Sequence, residues 1–192
     1  MLTSFAIAID PHSAAIARAA GATAEQVHLV HSVGMNLFWY GKGLALGCTH
    51  AELCAADAIG IDLFDYVEAR EWGISHDRTL AAHRAGIAPC EYDMARRAGA
   101  SDRRVRAAFR ANVNLWSYSD ALKAGAKDRE VRAAFADGLN MLTYAELRTV
   151  ATDAQARETL RELGDWVRDY MVARRTGQRH QPALRACVDI PF

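Results

Sequence analysis

Histidine and cysteine are the side chains best suited to hold a metal ion, and in this chain several lie close together. Cys48, His50 and Cys54 fall within seven residues, and His28 and His31 are three apart. Structural zinc needs four ligands supplied in paired short spacings, and no second short pair accompanies this group. His31 and His83 also share a repeat position occupied by Phe109 and Phe135. These histidines are therefore read as core or rim residues, with no metal and no cofactor. No nucleophile elbow, Gly-rich phosphate loop or metal-protease signature occurs, and the carboxylates fall at helix starts or on exposed faces. The chain is read as non-enzymatic; an active site assembled from distant positions is the alternative.

The tyrosines carry more information. Tyr40, Tyr66, Tyr92, Tyr118, Tyr144 and Tyr170 are the only six, and each follows the last by 26 residues. A stacked aromatic ladder can bind bases. It can equally be a core column whose hydroxyls keep one polar contact at the rim, and that is the reading taken.

A step of 26 residues defines a repeat, numbered here from the glycine six residues before the tyrosine. Six full repeats cover 8–33, 34–59, 60–85, 86–111, 112–137 and 138–163. Residues 1–7 look like the end of an earlier repeat, with Phe5 in the column of Phe109, and residues 164–171 begin a seventh. Position 1 holds Gly34, Gly60, Gly86, Asn112, Gly138 and Gly164; position 14 holds Gly21, Gly47, Gly73, Gly99 and Gly125. Glycine, and next best asparagine, tolerates the left-handed backbone that ends a helix. With the apolar residue that follows position 1, this predicts a Schellman stop and positive φ at both positions.

Helix starts are expected at position 16 (Thr23, Thr49, Ser75, Ser101, Lys127, Asp153) and at position 6 (Ser13, Asp65, Glu91, Ser117, Thr143). Thr23 with Gln26, Thr49 with Glu52, and Thr143 with Glu146 have capping-box spacing. Helix A then covers about positions 7–13 and helix B about positions 17–26. At 1.5 Å per residue they are about 11 and 15 Å long, too short to stand alone in water. They must stack on neighbours. The fold class is all-α: an α-solenoid of 26-residue helix-turn-helix repeats, six full repeats with partial ones at both ends.

Positions 20, 23 and 24 of helix B form an i, i+3, i+4 stripe: Val105, Ala108 and Phe109 in the fourth repeat. Helix A pairs the tyrosine at position 7 with a small residue at position 10, and Phe38, Phe64, Trp116 and Leu142 add apolar bulk at position 5. Asp10, Asn36, Asp62, Asn114 and Asn140 at position 3 are read as turn-shaping residues that bond local backbone. The unit is shorter than the ankyrin and tetratricopeptide units of about 33 and 34 residues and lacks their signatures. It therefore defines an architecture and no family.

Two surfaces stand out. Positions 18, 21 and 25 lie on one exposed face of helix B and carry Arg84, Arg103, Arg106, Arg110, Arg129 and Arg132, diluted by Asp77, Asp102 and Asp128. Such a face suits an acidic protein partner; nucleic acid is the alternative. The first 59 residues, by contrast, contain only six of the chain's charged side chains. Ile16, Trp39, Leu44 and Ala45 occupy positions that are often charged later, with Trp39 the expected anchor of a homodimer through residues 1–59; a different protein on the same surface is the alternative.

The remaining features bound the setting. Lys plus Arg equals Asp plus Glu, 23 each, so no global field draws the chain to polyanions. No apolar run approaches the roughly 20 residues of a membrane helix. Four unpaired cysteines without a secretory leader suggest reduced thiols and a cytoplasmic location. Residues 1–175 are expected to form one repeat domain closed by a helix over 164–175, with Trp166, Tyr170 and Met171 covering the sixth repeat. Residues 176–192 are expected as a tail, with 176–182 a loop.

Overall fold

The computed structural model describes residues 9–188; Phe5 and the proposed early repeat lie outside the described residues. The described residues contain fourteen helices and no strand. Helix A of successive repeats is α1 (Pro11–Ala19), α3 (Leu37–Ala45), α5 (Leu63–Glu71), α7 (Pro89–Arg97), α9 (Leu115–Lys123), α11 (Met141–Arg148) and α13 (Arg168–Arg175). Helix B is α2 (Ala24–Ser32), α4 (His50–Ala58), α6 (His76–Ala85), α8 (Asp102–Arg110), α10 (Asp128–Ala136), α12 (Asp153–Leu163) and α14 (His180–Val188). The regular succession of short helix pairs makes this a helical-repeat solenoid. Its contacts fall into two compact halves, one up to Cys90 and one from Glu91 onward.

The helix stops follow the glycines. Eleven glycines have φ between 58 and 96°, and Asn112, at the position 1 that holds glycine in five other repeats, has φ 60°. The bonding around Gly34 is a Schellman pair: its N–H donates to His31, and the N–H of Met35 reaches back to Val30 at 3.1 Å. The same pair recurs around Gly60, Gly86, Gly99, Gly125 and Asn112.

The starts of helix A are where the sequence reading needs correction. Position 3, not position 6, is the N-cap. Asp10, Asn36, Asp62, Asn114 and Asn140 each accept backbone N–H bonds from the first turn, as in Asn114 from Trp116 and Ser117 at 3.0 and 3.1 Å. Helix A therefore begins three residues earlier, typically at position 4. The expected capping box of Thr143 and Glu146 does not form, because Thr143 is already inside α11 and its hydroxyl donates to Asp165 at 3.0 Å. In helix B, Thr23 and Thr49 cap as expected, whereas α12 is capped by Thr152 and places Asp153 in its first turn.

Burial also shifts. Positions 20 and 23 of helix B are core, as in Val105 and Ala108, both 0% exposed, but Phe109 at position 24 is exposed. Position 5 points outward: Phe64, Trp116 and Leu142 are exposed, and the buried apolar side chains of helix A come from position 4, as in Leu63 and Leu115. Position 8 is buried as well in the second to seventh repeats, and at Gly41 two helices meet there. A Cβ on Gly41 would sit 2.8 Å from the backbone nitrogen of Ala17, so α1 and α3 touch backbone to backbone. The glycines that break the pattern in the second repeat are thus a packing requirement.

At the C-terminal end the expected loop over 176–182 is shorter than expected: residues 176–179 are turn and coil, and 180–182 already belong to a helix. Gly177 stops α13, and α14 starts at His180, so residues 164–188 form a seventh repeat with both its helices. Tyr170 and Met171 are buried as expected, but Trp166 is 80% exposed and covers nothing.

Candidate functional site

Each tyrosine of the ladder is a buried strut between the helices of its own repeat. Tyr40, Tyr66, Tyr118, Tyr144 and Tyr170 are 0% exposed, and Tyr92 is 3% exposed. With the rings enclosed, no stacking platform for bases exists on this column. The hydroxyl runs across to the first turn of the following helix B. It meets a histidine Nδ1 in three repeats: His50 at 2.9 Å, His76 at 2.8 Å and His180 at 2.8 Å. In the other three it donates to an aspartate: Asp102 at 2.5 Å, Asp128 at 2.8 Å and Asp153 at 2.7 Å. Burial, reinforced by the carboxylate bond in the last three, pushes the phenols of Tyr66, Tyr92, Tyr118 and Tyr144 up. Asp102 is held below the usual carboxylate range, first by the Tyr92 hydroxyl and then by Arg106.

This arrangement shapes the basic face of the C-terminal half. Asp102 and Asp128 stand at the first position of α8 and α10, where a carboxylate suits the helix dipole. Each is also bonded to the arginine one turn on: Arg106 to Asp102 at 3.0 Å and Arg132 to Asp128 at 2.8 Å. Two of the predicted arginines are therefore ion-paired within their own helices. Arg103, Arg110 and Arg129 are exposed and make no ion pair among the described residues.

The structure gathers some of the predicted arginines and leaves others apart. Ser101, Arg103, Arg104, Ala107, Asp128 and Arg132 line a cavity of about 670 Å³. A second cavity, about 550 Å³, takes in Arg104, Tyr118, Lys127, Asp128 and Arg129. Arg104 and Asp128 belong to both, so the two adjoin. Arg106 and Arg110 line neither, and Arg84 lies in the N-terminal half. Arg104 and Lys127 complete the group although neither lies in the predicted columns. The signal that could have found Arg104 is its place at position 19, where Gln26, Glu52 and Glu130 accept the cap residue's backbone N–H. In α8 that acceptor is replaced by a cation, and Ser101 makes no side-chain cap bond.

The other candidates resolve into structure. His50 bonds Tyr40 and lies 3.6 Å from the Cys54 sulfur, while Cys48 is buried; all four cysteines are free thiols. No group of three or more His, Cys, Asp or Glu is placed to hold a metal among the described residues. Trp39 is half-buried, edge-on to both Phe38 and Phe64, and with Leu44 it packs on the core of the N-terminal half. Ile16 is also half-buried, beside Gly41, whereas Ala45 is exposed. Among the described residues of this half, the large exposed apolar side chains are Leu29, Val33, Leu46, Ile59, Phe64 and Trp72. No described helix is long and apolar enough to cross a membrane. No family model, curated protein or solved structure matches this chain.

Proposed function

We propose that the chain is a binding scaffold without a catalytic centre, holding an acidic protein partner on the helix-B face of its fourth and fifth repeats. The observation that carries this reading is the set of exposed arginines without an ion pair, Arg103, Arg104, Arg110 and Arg129, on two helices of one half. Arg104 shares one cavity with Arg103 and another with Arg129; these like charges repel one another, and an acidic ligand relieves that repulsion. A strand of nucleic acid fits less well. Position 18 is Arg only in α8 and α10; elsewhere it is Glu25, Ala51, Asp77, Gln155 and Gln181. A polyanion tracking several repeats would need the cations to continue.

Titration of a fluorescein-labelled glutamate decapeptide, followed by anisotropy, tests the proposal. Wild-type protein should bind it, and Arg103→Glu with Arg129→Glu should abolish binding while the helical circular dichroism and melting curve stay unchanged. Equal binding by the variant removes the face from the account.

Self-association through the N-terminal repeats is the second element of the proposal. Its support is the set of exposed apolar side chains there, among them Ile59, Phe64 and Trp72. Trp39, half-buried against the core, gives way as the anchor to these more exposed side chains.

A further inference from the structure

The two adjoining cavities of the basic face differ from the rest of that face in what surrounds them. Their charged lining is five cations, Arg103, Arg104, Lys127, Arg129 and Arg132, against one anion, Asp128. That anion is already engaged. Its Oδ1 accepts from Tyr118, its Oδ2 accepts from Arg132, and its side chain is 11% exposed. It therefore offers an incoming ligand little repulsion, while Arg103, Arg104 and Arg129 remain unpaired.

We infer that these cavities bind a phosphate monoester carried by a protein segment: a phosphorylated serine or threonine in the acidic partner. The inference rests on the scaffold reading above and names the chemistry of its site. A carboxylate offers two oxygens and one charge. A phosphate monoester offers three acceptor oxygens and close to two charges near neutral pH, and the planar arginine fork matches it in paired bonds. Arg104, shared by both cavities, is the residue placed to grip it from either side. The first turn of α8 adds backbone N–H groups that no side chain caps. In most other helix B starts a threonine or serine oxygen fills that place, as Thr23, Thr49, Ser75 and Thr152 do.

The extent of the site argues for a short ligand. The cations span two repeats, and position 18 of the repeats on either side holds Asp77 and Gln155. That suits one phosphorylated side chain with a few acidic neighbours better than a continuous phosphodiester strand.

Four probes on the full chain test this: a glutamate-rich peptide with one central phosphoserine, the same peptide with serine, one with glutamate there, and a uridine decanucleotide. The phosphoserine peptide should bind about tenfold or more tightly than its serine form, as expected for one to three new charge-assisted bonds. Arg104→Gln should erase that difference, whereas Arg185→Gln, at an exposed arginine of α14 outside both cavities and outside the proposed binding face, should preserve it. Circular dichroism melts confirm that both variants fold. If the phosphate adds nothing beyond the glutamate substitution, the phosphate site is wrong and the acidic-partner scaffold stands. If no peptide binds, both fall. A phosphate advantage that survives Arg104→Gln overturns the location, and tighter binding of the decanucleotide overturns the choice of a protein ligand.

Discussion

Replacing Tyr118 by phenylalanine isolates the polar end of one strut from its ring. The ring is 0% exposed and stays in place in the variant; only the 2.8 Å bond to Asp128 is lost. A hydrogen bond to a charged group contributes about 1.5–3 kcal/mol. Two features place this one near the lower end. Asp128 keeps its 2.8 Å pair with Arg132, and Tyr118 and Asp128 both border the cavity of about 550 Å³, through which water can reach the freed oxygen. The expected loss is about 1.5 kcal/mol. Tyr118→Ala also deletes the ring and should cost about 3–5 kcal/mol. Urea unfolding followed by circular dichroism at 222 nm reads both. Midpoints should fall in the order wild type, Phe, Ala, with unchanged slopes for the first two. A phenylalanine variant as stable as wild type would show that the hydroxyl bond contributes nothing. One as unstable as the alanine variant would show that it, and not ring burial, dominates.

Three further outcomes follow from the same packing. Burial raises the phenols of Tyr40, Tyr66, Tyr92, Tyr118 and Tyr144 above 10.0 in the folded chain, so their contribution to stability is complete below that pH and lost as pH rises beyond it. Phenolate absorbance at 295 nm should therefore appear above pH 10 together with loss of helix; ionisation near pH 10 with the helices intact contradicts this. Gly41→Ala should cost about 1–3 kcal/mol by forcing α1 and α3 apart. Gly47→Ala, at φ +82° with open space around it, should cost about 1–2 kcal/mol from backbone strain alone, most of it recovered by Gly47→Asn. Urea midpoints check all three variants. Light scattering should give twice the monomer mass, and Phe64→Glu with Trp72→Glu should give a folded monomer; a wild-type monomer at high concentration removes the homodimer.

The parts of the fold legible in the sequence are those with a single chemical solution. A left-handed stop admits glycine or asparagine, so Gly34 and Asn112 announced themselves. Helix starts are less legible because the N-cap and the third residue of the first turn favour similar side chains. Asn140 and Thr143 both look like caps, and only the structure shows that Asn140 is the cap while Thr143 bonds Asp165. The seventh repeat was present as a signal in Gly177, which follows Gly164 by 13 residues, and in His180, which follows Tyr170 by ten. Its polar surface residues hid the period. The basic face was legible as a column of arginines, but which of them are free was not. That depends on Asp102 and Asp128 holding Arg106 and Arg132, and on Arg104 occupying a place where three other repeats put a capping acceptor.

The claim that the chain is a scaffold with its binding face on the fourth and fifth repeats is tested most directly by amide chemical-shift mapping. A ¹⁵N-labelled full chain titrated with the glutamate decapeptide should show its largest shifts within Ser101–Arg110 and Lys127–Arg132, saturating together. Shifts that instead cluster around Phe64 and Trp72, or that are absent at saturating peptide, contradict the account.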